Sequence, residues 1–520
     1  MKAPEVLILL CTVASLIGLS FAPSEVYATV DDFNILLGRP ADHSITINVI
    51  PDLSGEISFK YGTAQGVYGT PMDAVPCTVN EPVEVVIDGL TSNTRYDYRL
   101  LYRAGSGDSW TTGSEHSFHT QRSQGDTFIF TIISDSHMNG GGGNVALYEQ
   151  TLDNVSDDYP DFHFDLGDTF WMDGVTDIAT ANQRYLAQRQ WMGTVSHSAS
   201  IFVAPGNHEN EEGWNFDDTP VSKALLSVNA RKRYYPNPIT DGFYSGNDDT
   251  LAAIGGDQLC EDYYAWTWGD ALFIVIDPYH YTMNNPYVIA GGEDNDEGPA
   301  SNDRWDWTLG KIQYDWLKQI LEDSHAKFKF IFAHHMVGGS ADFVRGGAAP
   351  AHMFEWGGYN IDEETWGFDT RRPGWGDLPI HQLMVKNNVS AFFYGHDHEY
   401  AFQMRDGVVY QLVPAPSMSG YGFNLYHEGD PYMIRVLPNS GHIRVTVSPS
   451  QVTVDYVRSY ISGGTNREVA YTYTISCLKG DFTPSDGDVD GSDLAAYISN
   501  STIMDLKDFA ANFGRTDCLQ

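Results

Sequence analysis

One pattern recurs along the chain: a short apolar segment of strand-forming residues ends in a polar residue that can bind a metal. It first occurs at residues 128–137, FIFTIISDSH, where β-branched and aromatic residues are followed by Asp135 and His137. Such a run is typical of a buried strand, and carboxylate and imidazole groups are ligands for divalent cations. The segment therefore predicts a strand that delivers two metal ligands to its carboxyl end.

Later segments between residues 161 and 398 repeat this pattern. Their apolar runs are followed by Gly167-Asp168, Gly206-Asn207-His208-Glu209, His334-His335 and Gly395-His396-Asp397-His398. Helical stretches lie between them. At residues 309–321, four apolar side chains are predicted to share one face: Ile312, Trp316, Leu317 and Ile320. Strands that alternate with helices predict an open α/β sheet, in which ligands gather at the carboxyl ends of the strands.

The overall composition limits the classes of partner. The chain has 520 residues, of which 42% are hydrophobic, and this is enough for several domains and a large core. Its formal net charge is −39. Because such a surface repels a phosphate polyanion, we expect no nucleic-acid partner.

The first residues have the features of an export signal. Lys2 precedes an apolar run at residues 6–22, and small-residue cleavage motifs end at Ala22 and Ala28. We predict a signal peptide at residues 1–28 and a bacterial-type secreted, periplasmic or cell-surface protein, with a retained membrane anchor as the alternative. No other stretch is apolar enough to span a membrane, so we expect no span after cleavage.

Four cysteines follow this segment: Cys77, Cys260, Cys477 and Cys518. Export permits disulfides, and a bridge between Cys477 and Cys518 would clasp the two ends of the last segment. No pair has Cys-x-x-Cys spacing, which argues against thiolate metal sites and redox chemistry.

Two β-rich regions flank the α/β pattern. Residues 29–122 contain regular short strands, and Tyr96 follows a turn in a way that resembles the tyrosine corner of immunoglobulin-like and fibronectin type III sandwiches. We predict a β-sandwich there, with a positioning role. Residues 408–476 alternate again and are expected to complete a second sheet of the α/β domain.

The last segment is rich in aspartate. Four aspartates have the spacing of a calcium-binding loop: Asp486, Asp488, Asp490 and Asp493. Residues 494–499 are predicted to be helical, and a second helical stripe is apolar: Leu506, Phe509, Ala510 and Phe513. An acidic, solvated tail is the alternative interpretation.

Together, the metal-ligand motifs resemble the calcineurin-like metallophosphoesterase superfamily in residue type, order and strand context. Purple acid phosphatases, which also carry an N-terminal sandwich, are the nearest architectural match. The resemblance implies an α/β fold with a four-layer α/β sandwich core at residues 126–476, a fibronectin III-like β-sandwich at residues 29–122 and a small α-helical calcium-loop tail at residues 477–520. The implied activity is hydrolysis of phosphate esters by metal-activated hydroxide.

The resemblance also implies a site for two metal ions, bridged by Asp168. Three residues would complete the ligands of the first ion: Asp135, His137 and His398. Three would complete those of the second: Asn207, His334 and His396. His208 would act as general acid or oxyanion stabiliser, and Glu209 would orient its imidazole. Three further polar residues are expected to be structural or to lie at the rim: Asp277, His280 and His381.

Two departures from purple acid phosphatases bear on the metals. The chain carries His137 where those enzymes have no such histidine, and residues 167–171, GDTFW, lack their tyrosine ligand, which argues against an Fe(III)–tyrosinate centre. Nitrogen and oxygen ligands without thiolate suit Zn, Fe, Mn or Ni. Substrate contacts are predicted from one histidine and from three arginines of a Gly-rich rim stretch: His335, Arg345, Arg371 and Arg372. A structural role is the alternative for each.

The tail resembles a bacterial dockerin segment, although residues 483–485 appear as an insertion into its loop and no second aspartate-rich loop follows. This implies calcium binding and a cohesin-like module or another surface protein as partner. For the whole chain, the expected substrate is a phosphoester small molecule. The alternatives are a phosphodiesterase or nucleotide hydrolase, and a noncatalytic calcium-binding surface or adhesion protein.

Overall fold

The structure is a computed structural model of the chain. It describes residues 33–139, 142–217, 219, 221–246, 260–286, 301, 303–340, 345–376, 378–418, 425–438, 440–477, 489–499 and 506–513. The predicted signal peptide at residues 1–28 lies outside the described residues, as do Asp486, Asp488 and Cys518.

The first seven strands form the predicted β-sandwich. They are β1 Asn34–Gly38, β2 Ile45–Ile50, β3 Gly55–Gly62, β4 Val75–Cys77, β5 Val83–Ile87, β6 Arg95–Arg103 and β7 Thr111–His119. One sheet has the order β1-β2-β5 and the other β4-β3-β6-β7. The backbone N–H of Thr91 donates to the Tyr96 hydroxyl at 2.8 Å. This is the hydrogen bond of a tyrosine corner, and it confirms that prediction.

Two larger sheets follow. Their strands are β8 Phe128–Ile133, β9 Phe162–Asp165, β10 Ser200–Val203, β11 Ser245–Gly246, β12 Tyr264–Trp268, β13 Ala271–Val275, β14 Phe328–Phe332, β15 Ala391–Tyr394, β16 Tyr400–Arg405, β17 Val408–Leu412, β18 Met433–Leu437, β19 Gly441–Val447, β20 Gln451–Arg458 and β21 Val469–Ser476. The six-stranded sheet has the order β10-β9-β8-β19-β20-β21, and the eight-stranded sheet has the order β11-β12-β13-β14-β15-β17-β16-β18. The β-rich region at residues 408–476 therefore contributes strands to both sheets.

Helices cover the outer faces of these sheets. They are α1 Val145–Ser156, α2 Ile178–Ser196, α3 Lys223–Tyr234, α4 Gly310–Asp323, α5 Phe354–Gly357, α6 Phe368–Arg371 and α7 Ile380–Lys386. The first three begin at capping residues, Asn144, Asp177 and Ser222, whose side chains accept a hydrogen bond from a backbone N–H three positions later. Within the described residues, no helix has the length and hydropathy needed to cross a membrane.

Three apolar clusters show the layer order of the core. One lies between the two large sheets and is rich in phenylalanine, with Phe130, Phe164 and Phe332 at its centre. A second joins the six-stranded sheet to α1–α3, and a third joins the eight-stranded sheet to α4, α5 and α7. The order is therefore helices, sheet, sheet, helices, which is the predicted four-layer sandwich.

The prediction for the buried face of α4 was wrong in part. Ile312 is 52% exposed, and the buried side chains include Gln313, Tyr314, Leu317 and Leu321. Trp316 and Ile320 are half-buried against the same cluster. The buried face is shifted because the Gln313 side chain points inward. It accepts a hydrogen bond from the N–H of Asp277 and donates one to the Asp277 carbonyl, each at 2.8 Å.

The N-terminal sandwich contacts the core through α2. The guanidinium of Arg189 is fully buried and donates to the side-chain oxygens of Asn34 and Asn48 at 2.8 and 2.7 Å. The Tyr98 hydroxyl donates to the carbonyl of His197 at 2.7 Å. These buried polar contacts fix the sandwich against the catalytic core.

The described part of the tail contains α8 Gly491–Ser499 and α9 Leu506–Asn512. Val489, Tyr497 and Phe509 form a small apolar cluster of their own. Of the predicted stripe, Phe509 is buried, whereas Leu506 and Phe513 are 62% and 48% exposed. Cys477 is disulfide-bonded, to a partner outside the described residues.

Candidate metal centre

The predicted ligands follow the carboxyl ends of parallel strands in both large sheets. In the six-stranded sheet, β8, β9 and β10 are parallel, and they lead to Asp135, Asp168 and Asn207. In the eight-stranded sheet, the parallel strands β14 and β15 lead to His334 and His396. Because the two sheets pack face to face, these ends meet at one rim of the sandwich.

One group of ligand atoms comes from Asp135, His137, Asp168 and His398, all within 4.8 Å of one another. Nε2 of His398 lies 3.2 Å from Oδ1 of Asp135 and 2.9 Å from Nε2 of His137. Apart from His398, whose side chain is 18% exposed, these side chains are almost completely buried. The atoms converge on a single point, as the ligands of one cation do.

A second group comes from Asp168, His334 and His396, again within 4.8 Å. Nε2 of His334 lies 3.1 Å from Oδ2 of Asp168. The amide oxygen of Asn207 lies 3.0 Å from Nδ1 of His396, which brings the seventh predicted ligand to this group. Asp168 belongs to both groups and lies between them.

The ligand positions have an unusual backbone. Five of them have a left-handed conformation, with φ between 47° and 73°: Asp135, His137, Asp168, His396 and His398. This region is costly for residues other than glycine, by about 1–3 kcal/mol each, and is concentrated at functional sites. The backbone adopts this conformation despite its cost because the conformation turns each side chain sharply inward where its strand ends.

The glycines that precede the ligands allow close approach of the strand ends. A Cβ on Gly395 would lie 1.9 Å from the Ser134 hydroxyl and 2.6 Å from Oδ2 of Asp135. A Cβ on Gly206 would lie 2.3 Å from Oδ1 of Asp168. Any larger residue at either position would push a carboxylate out of the cluster, which explains the glycine of each motif.

Backbone groups orient the ligands. The N–H of His396 donates to Oδ2 of Asp135 at 2.9 Å, and the N–H of His208 donates to Oδ1 of Asp168 at 2.9 Å. Nδ1 of His334 donates to the Leu166 carbonyl at 2.9 Å, which leaves its buried Nε2, 3.1 Å from Oδ2 of Asp168, as the atom that would bind a metal. The donor set therefore fits a pair of metal ions.

The carboxylates and imidazoles of the cluster stabilise one another's charged forms. Burial disfavours a charge on Asp168, but the imidazoles of His334 and His208 outweigh it and hold the pKa of Asp168 well below its ordinary value. Burial lowers the pKa of His334, yet Asp168 and Asp135 raise it to about 9. A cation that binds here must therefore displace the His334 proton and take over its role as counter-charge.

The prediction that Glu209 orients His208 was wrong. The Glu209 carboxylate instead accepts three backbone N–H groups, from Asp168 at 2.9 Å, Thr169 at 2.7 Å and Gly206 at 2.7 Å. It thus joins the loop after β9 to the loop after β10, so its role is to hold the bridging aspartate in place. Burial and the nearby charge of Asp168 raise the pKa of Glu209 to about 7.

Two residues that sequence reasoning missed hold the His208 ring. Oδ2 of Asp173 lies 3.0 Å from its Nδ1, and the Trp171 indole stacks on it with centroids 4.6 Å apart at 8°. Nε2 of His208 is 4.0 Å from Oδ2 of Asp168. The available signal for Asp173 was a carboxylate a few positions after Gly167-Asp168. Because Asp173 lies in a loop without periodicity, the sequence did not indicate its contact with His208.

Trp171 also contacts His137, since its Nε1 donates to Nδ1 of that ring at 3.0 Å. An indole N–H can only donate, so Nδ1 of His137 accepts and Nε2 carries the ring proton in this arrangement. Binding of a metal at Nε2 would require the other tautomer, with the ring proton on Nδ1 and the Trp171 hydrogen bond broken.

The predicted substrate contacts are engaged with protein groups. His335 is fully buried, stacks on Trp307 at 4.9 Å and borders the His396 ring at 4.6 Å. The arginine partners are Asp397 for Arg345, Asp303 for Arg371, and Glu355 and the Trp305 carbonyl for Arg372. Their contact with a phosphate stays a prediction.

One known family and two solved structures are similar to this chain. The family model for calcineurin-like phosphoesterases matches residues 128–400. Among solved structures, PhoD is similar with a TM-score of 0.61 and 16% identity, over 92% of this chain and 98% of that chain. Purple acid phosphatase PPD1 from yellow lupin (Lupinus luteus) seeds has a TM-score of 0.53 and 13% identity, over 94% of this chain and 77% of that chain.

At these identities the two structures show a shared fold. None of the curated protein sequences gives a significant match. The family model, however, covers more than half of the chain and includes every residue of the two ligand groups. The chain belongs to the calcineurin-like phosphoesterase family and is a phosphoester hydrolase.

Proposed function

We propose that the protein is a secreted phosphoesterase with two metal ions in its active site. The observation that carries this proposal is the position of Asp168, which is shared by two groups of ligand atoms. A carboxylate in that position can bridge two cations, and a pair of cations is the usual arrangement for hydrolysis of a phosphoester.

The residues divide into two sets of ligands around Asp168. The first ion would be held by Asp135, His137 and His398, and the second by Asn207, His334 and His396. When bound, such ions neutralise phosphoryl charge and lower the pKa of a water. Nitrogen and oxygen donors of this kind fit Zn, Fe, Mn or Ni.

His208 supplies the protein's own proton chemistry. Its Nδ1 is bonded to Asp173, so its Nε2 faces the Asp168 side of the cleft. In this position the ring can hydrogen-bond a phosphoryl oxygen and donate a proton to the leaving group. The bond to Asp173 fixes the orientation of the ring.

The proposed domain boundaries are a signal peptide at residues 1–28, a fibronectin III-like sandwich at residues 29–122, the catalytic domain at residues 126–476 and a dockerin-like segment at residues 477–520. For the last segment we propose calcium binding and a cohesin-like or other surface protein as partner. In its described part, the backbone N–H of Asp490 donates to Oδ2 of Asp493 at 2.9 Å, and the Asp490 carboxylate accepts from the N–H of Ser492 at 2.7 Å, at the start of α8.

A substrate panel tests the proposal. Purified mature protein is assayed on mono- and bis-nitrophenyl phosphate after elemental analysis. We expect bound transition metal and turnover that a chelator abolishes. The ratio of the two rates assigns the enzyme to monoesters or to diesters. Absence of transition metal, with no turnover after metal is added, would instead favour a noncatalytic surface protein.

A further inference from the structure

A third group of potential metal ligands lies outside the two groups at the candidate centre. It consists of Cys260, Asp262 and His280, each of which offers one ligand atom within 4.8 Å of the others. All three side chains are buried, with 4%, 2% and 3% exposure. Cys260 is a free thiol, and Nδ1 of His280 lies 2.8 Å from Oδ2 of Asp262. Sulfur, oxygen and nitrogen donors thus converge in the interior.

Asp262 has the His280 imidazole as its nearest counter-charge, at 2.8 Å. The nearest guanidinium, that of Arg231, is taken up by Glu211 through two hydrogen bonds of 2.7 and 2.8 Å. The remaining donors of Arg231 bond the carbonyls of Cys260 and Glu261 at 2.6 and 2.8 Å. Arg231 therefore fixes the backbone that carries the thiol and leaves the Asp262 carboxylate to other partners.

A second buried carboxyl group responds to the charge of Asp262. Asp277 is 1% exposed and is bonded to the N–H of Tyr279 at 2.7 Å. Burial and the charge of Asp262 raise its pKa well above the ordinary value. Burial lowers the pKa of His280, but the charge of Asp262 outweighs it and raises that pKa well above the usual range. Both groups thus retain protons because Asp262 is negatively charged.

We propose that Cys260, Asp262 and His280 bind one thiophilic divalent cation, such as Zn²⁺, at a site separate from the candidate catalytic centre. Binding releases two protons, one from the Cys260 thiol and one from the His280 imidazolium. The divalent ion with one thiolate, one carboxylate and one neutral imidazole then has no net charge. A neutral centre is the arrangement that a buried site favours, and a thiolate selects zinc-like ions over magnesium or calcium.

The site would stiffen one wall of the catalytic cleft. His280 follows Tyr279, whose ring lies 6.2 Å from that of the ligand His334. The N–H of Gly213 donates to the Tyr279 carbonyl at 3.1 Å, and a Cβ on Gly213 would lie 2.6 Å from the His280 carbonyl. The bound ion would therefore join the segment before β12 to the segment after β13, which in turn contacts the loop that follows Glu209, and its role is structural.

Cobalt substitution tests this proposal in the full-length protein without reference to activity. A thiolate bound to Co²⁺ gives a near-ultraviolet charge-transfer band, which the nitrogen and oxygen ligands of the catalytic centre do not give. We expect the band in cobalt-loaded wild type, its loss in Cys260→Ser, and one fewer metal ion per chain in that variant. Cys77→Ser, which changes the other buried free thiol, should keep both the band and the full metal content.

A second variant keeps the test decisive if Cys260→Ser does not fold. In Asp168→Asn the catalytic centre loses its ions, so X-ray absorption of the remaining metal should show one sulfur neighbour. The proposal is overturned if cobalt-loaded wild type has no thiolate band, if the band survives in Cys260→Ser, or if Asp168→Asn retains no metal with a sulfur ligand. In that case Asp262 and His280 form an ion pair only.

Discussion

Asp173 and Trp171 hold the imidazole of His208 so that its Nε2 faces Asp168. Asp173 bonds Nδ1 at 3.0 Å, and the Trp171 ring covers one face. Nε2 points to the side of Asp168. If this nitrogen donates a proton to the leaving group, its importance should depend on how poor that leaving group is.

His208→Ala should keep the metal content and lower kcat by about 10²–10⁴. Because nitrophenolate leaves readily without a proton, the loss should be smaller on nitrophenyl phosphate than on an alkyl phosphate. Rates on both substrates, with elemental analysis of each preparation, check this. An equal loss on the two substrates would mean that His208 does not act as the acid.

At this scale the cluster of Asp and His side chains could be predicted from the sequence, and the residues that support it could not. A glycine followed by Asp or His at the end of an apolar run marks a position where one strand end approaches another. Asp168 and His396 can therefore be recognised from the local sequence alone. Asp173 and Trp171 lie in a loop, and their contact with His208 arises only when the loop folds back. Cys260, Asp262 and His280 likewise have no motif spacing, because residues 261–280 must turn before the three meet.

Strand β9 is buried on both faces and leads directly to Asp168. Its centre carries His163, which is 2% exposed and whose Nδ1 lies 2.8 Å from the Thr131 hydroxyl of β8. Burial lowers the pKa of His163 to about 3. In the unfolded chain the same ring has a pKa near 6.5. Protonation of His163 therefore favours the unfolded state.

This difference sets a pH window for the stability of the strand. The pKa of His163 is lower in the folded state than in the unfolded state. The contribution of the neutral ring to the unfolding free energy is therefore fully present above pH 6.5 and is lost as the pH falls toward 3. Between pH 7 and pH 5, wild type should lose about 2 kcal/mol more unfolding free energy than His163→Asn. Urea unfolding of both proteins at several pH values measures this difference in unfolding free energy. Parallel losses in the two proteins would contradict the assignment.

Element types followed from periodicity, while the partners of each element did not. The apolar run of β8 predicted a strand, but its pairing with β19, more than 300 positions later, depends on the whole chain. In the same way α4 was predicted as a helix, yet its buried face is fixed by the bonds between Gln313 and Asp277. Local sequence cannot specify such distant contacts.

At the scale of the molecule, the metal ligands all lie in the four-layer core. The N-terminal sandwich is held to that core by the buried Arg189, whereas the tail has an apolar cluster of its own around Tyr497 and Phe509. The composition change at residue 477 is the basis of the domain boundary that we propose there. The relation of the sandwich to α2 was not predictable, since polar residues make it.

Deletion of residues 477–520 should leave transition-metal content and kcat/KM unchanged, because every candidate transition-metal ligand lies between residues 135 and 398. Assay of the truncated protein on nitrophenyl phosphate checks this prediction. Full-length protein prepared in parallel is the control. A large loss of turnover would place the domain boundary elsewhere.

The central claim is that Asp168 holds two metal ions at once. Elemental analysis of wild type and Asp168→Asn, combined with turnover of a phosphoester, tests it most directly. We predict that the variant contains two fewer transition-metal ions per chain and has almost no turnover. A variant that keeps its metals and its activity would contradict the account.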